Sequence, residues 1–277
     1  MLSAAFALGA SLAWGFGDFL GGLKARVLGA LSVMALSQPF GLVALAIAVA
    51  VRGTAPPGWN IAWACLSAVL GTVGLFAFYR GMEAGAISVV VPIASLAAAF
   101  PVIWGIASGD DVSRLQEIGF VAAIGGSALA SIERHEQRTR LAAGVGWAAL
   151  AMLAFGGYYV PMHAASAQDW LWPSFLFRCV SVTLVWSVVL LRRRGIPHGF
   201  RPHLPALVAI GFLDTGGNVL FAAASVHGLL SVVSVLASLY PVVTVMLARL
   251  ALRERVQLAQ DVGIVATLAG VVLISAG

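Results

Sequence analysis

Three side chains carry full charge inside otherwise apolar stretches of this chain: Asp18, Arg178 and Asp214. A charge at mid-bilayer costs about 2.5–3.5 kcal/mol on insertion scales, so such a residue tends to face a cavity and to act there. Asp214 has Asn218 one helical turn further on and Gly216–Gly217 between them, a pattern suited to a proton site or to holding a substrate amine. The bland alternative is an acid bonded to a neighbouring helix for packing. Asp18 lies near the end of its apolar run with Trp14 at i−4, so indole and carboxylate share a helix face and could hold a cation by stacking and charge together. A helix-end acid paired with Lys24 is the structural alternative. Arg178 could bind an anionic group, pair with either acid, or snorkel to the nearby interface. Gln38, mid-run in the first half, lies over Arg178 at a shift of 140 as its neutral counterpart.

Aromatic and proline residues extend the set. Tyr79, Tyr158 and Tyr240 are candidates for lining a cavity, with Tyr159, His163 and Trp104 beside them in the pattern; interface belt or core is the competing reading. Pro92 and Pro241 are candidate hinges, because proline removes a backbone donor and kinks a helix, and in transporters such breaks act as flexing points.

What positions these residues is a set of apolar runs. The chain is 61% hydrophobic and 10% charged with mean hydropathy +0.98, against roughly 25% charged in a soluble domain. A spanning helix needs about 20 mostly apolar residues. Ten such runs fall at about 2–22, 29–51, 60–82, 86–107, 115–132, 144–162, 172–191, 204–226, 230–250 and 258–276. The links between them are too short for a soluble domain, and continuous rather than alternating runs argue against a β-barrel. The opening MLSAAFALGA has no basic region before its apolar run, so the start is read as a retained helix and not a cleaved signal. The pI near 9.9 is read as basic loop anchors facing anionic lipid, and not as a nucleic-acid surface. Cys65 and Cys179 sit inside apolar runs with no disulfide or metal spacing.

The sequence is partly written twice. SVVVPIASL (88–96) matches SVVSVLASL (231–239) at a shift of 143, QEIGFVAAIGG (116–126) matches QDVGIVATLAG (260–270) at 144, and AWGFG (13–17) matches AFGGY (154–158) at 141. The unit is five spans. Five is odd, so the second copy enters the membrane from the opposite side, which is the inverted repeat of many secondary transporters, with substrate held between the repeats. The expected architecture is therefore an all-α integral membrane protein of ten transmembrane helices in two inverted five-helix repeats, 1–140 and 141–277, forming one membrane-embedded unit. Of 16 Lys and Arg, 13 fall in the links after odd-numbered runs and two, Arg52 and Arg114, after even-numbered ones. By the positive-inside rule this puts both termini outside.

The segments AWGFGDFLGGLKAR, VVVPIASLAAAFPV and SVVSVLASLYPVVTVMLARLALRERVQLAQDVGIVATLAG resemble the EamA-type branch of the drug/metabolite transporter superfamily. The resemblance implies ten helices in two inverted repeats, a central cavity, alternating access, and export or exchange of small metabolites. It also implies cytoplasmic termini, against the charge count, so sidedness stays open. The chain departs from the family pattern at Gly109-Asp110-Asp111, where Gly-Glu is common, and at Arg253, where glycine is usual.

These readings converge on a secondary transporter in the cell membrane, multi-pass, moving an amino acid, a nucleobase or an amphipathic compound. No cofactor and no nucleic-acid partner are expected; its partners are the substrate, membrane lipid and, if Asp214 titrates, a proton. There is no Walker sequence, no His-Glu-x-x-His and no Gly-x-Ser-x-Gly, so ATP drive and enzyme chemistry lack support. A non-transporting sensor or scaffold, or an uncoupled facilitator, is the alternative. Of the two acids, Asp214 is the better candidate for coupling.

Overall fold

The computed structural model describes residues 2–55, 58, 60–84, 87–130, 138–193, 197, 199–252 and 258–276. Within them the chain is all helix: α1 Leu2–Leu28, α2 Ala30–Arg52, α3 Ile61–Ala84, α4 Ile87–Ser95, α5 Ala99–Ala107, α6 Arg114–Ala130, α7 Arg138–Ser166, α8 Leu171–Leu191, α9 Leu204–Ser225, α10 Leu230–Ala237, α11 Tyr240–Leu252 and α12 Leu258–Ala276. Among the described residues six helical segments are long and apolar enough to cross a membrane: Leu2–Leu28, Ala30–Arg52, Ile61–Ala84, Gly144–Ser166, Leu171–Leu191 and Arg201–Ser225. Ile47, Ile103, Val121, Leu190 and Val265 face outward and exposed, while the interior is filled largely by Ala, Gly, Ser and aromatic residues. Small residues inside and aliphatic residues outside is the arrangement expected when lipid is the solvent.

Three sequence expectations are corrected. The first helix does not stop at residue 22 but runs to Leu28, where Gly29 (φ 83°) turns the chain straight into α2. A glycine fits there because φ is positive. Asp18 is thus ten residues from the helix end, roughly 15 Å at 1.5 Å per residue. Lys24 does not reach it; its Nζ lies 3.4 Å from His203 Nδ1. The apolar runs 86–107 and 230–250 are each two helices. A 3-10 turn at Leu96–Ala98 separates α4 from α5, and Ser238–Leu239 separates α10 from α11. At the shift of 143 seen in the sequence the two breaks overlap, Leu96 lying over Leu239. Pro241 sits in the first turn of α11, as Pro101 does in α5, where the missing N–H is tolerated. Pro92 falls within α4; its side chain lies outside the described residues.

The packing is reciprocal between halves. α1 lies along α9 and α3 along α7, α2 crosses α9 and α3 crosses α8, while α2 meets α8 and α6 meets α12. At α6 on α12 the backbones touch. A Cβ added at Gly126 would lie 2.8 Å from the Gly263 carbonyl oxygen, and one at Gly270 would lie 2.7 Å from that of Gly119. Exchanging the halves at the shift of 144 turns the first contact into the second.

The helix ends group at two faces. On one face Ala30 N–H donates to Glu83, which also pairs with Arg80, and Arg26 Nε–H donates to the Met82 carbonyl at 3.5 Å. On the other face Arg52 holds Asp169 bidentately (3.0 and 2.8 Å), Trp172 Nε1–H donates to the Thr54 carbonyl at 2.9 Å, and Asp110 accepts from both the N–H and the hydroxyl of Ser231 at 3.0 and 2.7 Å.

Candidate functional site

A cavity lies between the two halves. Its polar lining comes from six helices: Asp18 on α1, Gln38 on α2, Thr72 on α3, Tyr158 on α7, Arg178 and Ser181 on α8, and Asp214 and Asn218 on α9. Apolar walls come from Trp14, Leu75, Phe155, Phe177 and Tyr240. The space open to the centre of a water-sized sphere is ≈ 50 Å³, so the cavity as it stands admits a few waters or a very small solute.

Nine residues were expected at a binding or coupling site, and eight of them line this cavity: Trp14, Asp18, Gln38, Tyr158, Arg178, Asp214, Asn218 and Tyr240. Tyr79 does not. It packs behind the lining against Gly21 of α1, where an added Cβ would clash with its ring, and its buried hydroxyl has no bonding partner. Trp104 is exposed and outside the cavity. His163 and the hinge candidate Pro241 are also outside the lining.

The charges are arranged unequally. Arg178 is 1% exposed, and its Nη1 lies 2.8 Å from Asp214 Oδ2. The approach lacks the alignment of a directed hydrogen bond, and none of its three nitrogens donates one. Of the three sequence alternatives for Arg178, the structure therefore contains the ion pair. Asp18 is 8% exposed and makes neither a hydrogen bond nor an ion pair with any described residue.

Neutral groups complete the floor. Thr72 Oγ1 lies 2.8 Å from Ser181 Oγ, which donates to Gln38 Oε1 at 3.0 Å; the Gln38 amide nitrogen is buried and unpartnered. Tyr158 donates to Asn218 Oδ1 at 3.0 Å, so Asn218 is engaged by a tyrosine and not by Asp214. Trp14 meets Tyr158 and Tyr159 edge-on, with centroids 6.3 and 6.4 Å away. Its indole also lies against Gly217, where an added Cβ would fall 2.4 Å from the ring. Thr72, Ser181 and Phe177 were not singled out from sequence. Ser181, at i+3 from Arg178, carried the signal: a second polar residue on the face of the buried arginine.

A second recess of ≈ 350 Å³ opens at the face holding Glu83, lined by Gly29, Arg80, Glu83 and Arg192 and reaching Ala35 and Phe76. Ala35 and Gln38 are about one turn apart on α2, so the recess ends close beneath the cavity.

The EamA-like transporter family model matches residues 142–276. Over those residues, just under half of the chain, the sequence matches the EamA-like transporter family. The family is part of the drug/metabolite transporter superfamily, and with the apolar helices it makes this a membrane protein of transporter type. A solved crystal structure shares the fold of this EamA-like chain with a TM-score of 0.77 at 14% identity, covering 97% of this chain and 95% of its own. No curated protein matches the sequence.

Proposed function

We propose that this EamA-like protein is a secondary transporter of ten spans in two inverted repeats, 1–140 and 141–277, that moves a small metabolite across the cell membrane by alternating access. The four spans beyond the six long helices are α4–α5, α6, α10–α11 and α12. The observation that carries the reading is the cavity itself: charged and hydrogen-bonding groups from both halves converge on one space between them. Buried polar groups in a membrane are costly, and they mark substrate and ion pathways. A scaffold or sensor needs neither the buried charges nor a space beside them.

Reciprocal packing supports the inverted repeat, and the paired breaks in the fourth and ninth spans supply corresponding flexing points in each half. The recess beside Glu83 gives one route towards the cavity. On the opposite face the Arg52–Asp169, Trp172–Thr54 and Asp110–Ser231 contacts close the bundle. Exchange of open and closed faces would carry solute across, and export is the direction the family resemblance favours. Substrate is expected to touch Trp14, Asp18, Gln38, Tyr158, Arg178 and Asn218.

Counterflow into proteoliposomes tests this with a panel of amino acids, nucleobases and small organic cations, with and without an imposed pH gradient. Accumulation of at least one solute, lost when Arg178 is replaced, is the expected result. Folded protein that moves none of the panel contradicts the reading.

A further inference from the structure

The cavity contains two carboxylates and one guanidinium. Arg178 lies 2.8 Å from Asp214, and that pair is electrically closed. Asp18 is left with one negative charge that no described side chain offsets, although it is more than nine-tenths buried and lines the cavity. Every element packed on α1 has been considered for a counter-charge. α9 presents Asp214, of like sign. α3 and α11 present the phenols of Tyr79 and Tyr240, both buried and without a hydrogen-bond partner among the described residues, and α7 presents Tyr159; Arg80 on α3 is paired with Glu83, and the side chain of Arg249 on α11 lies outside the described residues. α10 carries no titratable residue, and the one on α2, Arg52, is paired with Asp169 at the far end of that helix. On α1 itself Lys24 and Arg26 are engaged by His203 and the Met82 carbonyl.

A bare carboxylate in such a place is disfavoured. It is satisfied by a proton or by a cation brought into the cavity. Trp14, one turn away on α1 with Tyr158 and Tyr159 around it, supplies ring faces that attract a cation.

We propose that Asp18 is the exchange position of the cavity, where a proton and a small organic monocation bind in turn. Asp214, favoured from sequence as the coupling acid, is instead the fixed counter-ion of Arg178. The step is balanced: the protonated carboxyl and an alkylammonium give the carboxylate–ammonium pair and one free proton. The cavity's net charge is the same before and after, so one-for-one exchange moves no net charge across the membrane. The inference rests on the transporter reading for its use in flux, and binding is measured separately so that the two can fail apart.

The test adds methylammonium, tetramethylammonium or benzylammonium to the purified full-length protein in detergent, in weakly buffered solution, and records heat and pH together. The wild type should release about one proton per cation bound, with affinity falling about tenfold for each unit of pH decrease while the carboxyl is protonated. Asp18→Asn should bind no cation and release no proton, whereas Asp18→Glu should keep both. Because the wild-type proton count needs no variant, misfolding of Asp18→Asn leaves the test intact. Cation binding without proton release, release that survives Asp18→Asn in folded protein, or no binding of any of the three cations overturns the proposal. If cations fail to bind while proteoliposomes still carry another solute, this inference falls and the transporter reading stands. If nothing binds and nothing is carried, both fall.

Discussion

Replacing Arg178 by methionine is expected to destabilise the folded protein by about 3–5 kcal/mol and to abolish transport, because it leaves Asp214 as an uncompensated charge in the interior. The guanidinium is 1% exposed and sits 2.8 Å from that carboxylate. The double variant Arg178→Met/Asp214→Leu should regain most of the loss, since replacing a whole buried pair by apolar residues is often neutral or better. It should nevertheless remain inactive. Thermal or denaturant midpoints in detergent, read as a double-mutant cycle, measure this directly. The contrast with Asp18 is informative: Asp18→Asn removes an unpaired carboxyl and should cost little stability. If Arg178→Met is as stable as wild type, the ion pair does not hold the cavity together.

The second large effect is at the α6–α12 contact. Gly270→Leu should destabilise by roughly 3 kcal/mol or more, since overpacking costs about 1–3 kcal/mol where side chains can yield, and here backbone must move. The Cβ alone would fall 2.5 Å from the Ala123 nitrogen. Intrinsic helix propensity pulls the other way by up to about 1 kcal/mol and is outweighed. Gly126→Leu should cost a similar amount, because its contact with Thr267 and Gly263 is the counterpart of the first. Gly125→Ala, whose added Cβ meets nothing within 4 Å, is the control and should be neutral or slightly stabilising. Unequal losses at 126 and 270 would argue against the reciprocity of the halves.

These sites show how much could be read from sequence. Apolar runs fall on the described helices, because burial in lipid demands continuous hydrophobic length. They could not locate the breaks at Leu96–Ala98 and Ser238–Leu239, whose residues are as apolar or small as their neighbours. Pro101 and Pro241 did mark the breaks, by opening the first turn of the following half-helix and not by kinking a continuous one. The end of α1 was misjudged because Lys24 and Arg26 look like a membrane boundary, yet both find partners while the helix continues. In-span polarity gathered the site residues, since lipid offers such groups nothing and the protein interior does. It could not say which acid would meet Arg178. That choice depends on how α8 and α9 pack.

Alternating exposure of the central cavity can be measured without knowing the substrate. Ser181→Cys places a near-isosteric thiol in the lining, in a background where Cys65 and Cys179 are replaced by alanine. A membrane-impermeant methanethiosulfonate is applied to oriented vesicles from one face or the other. Modification from both faces is the expected result, with Arg52→Ala speeding it from the face where Asp169 lies and slowing it from the opposite one. Modification from a single face, unchanged by Arg52→Ala in folded protein, would contradict alternating access through this cavity.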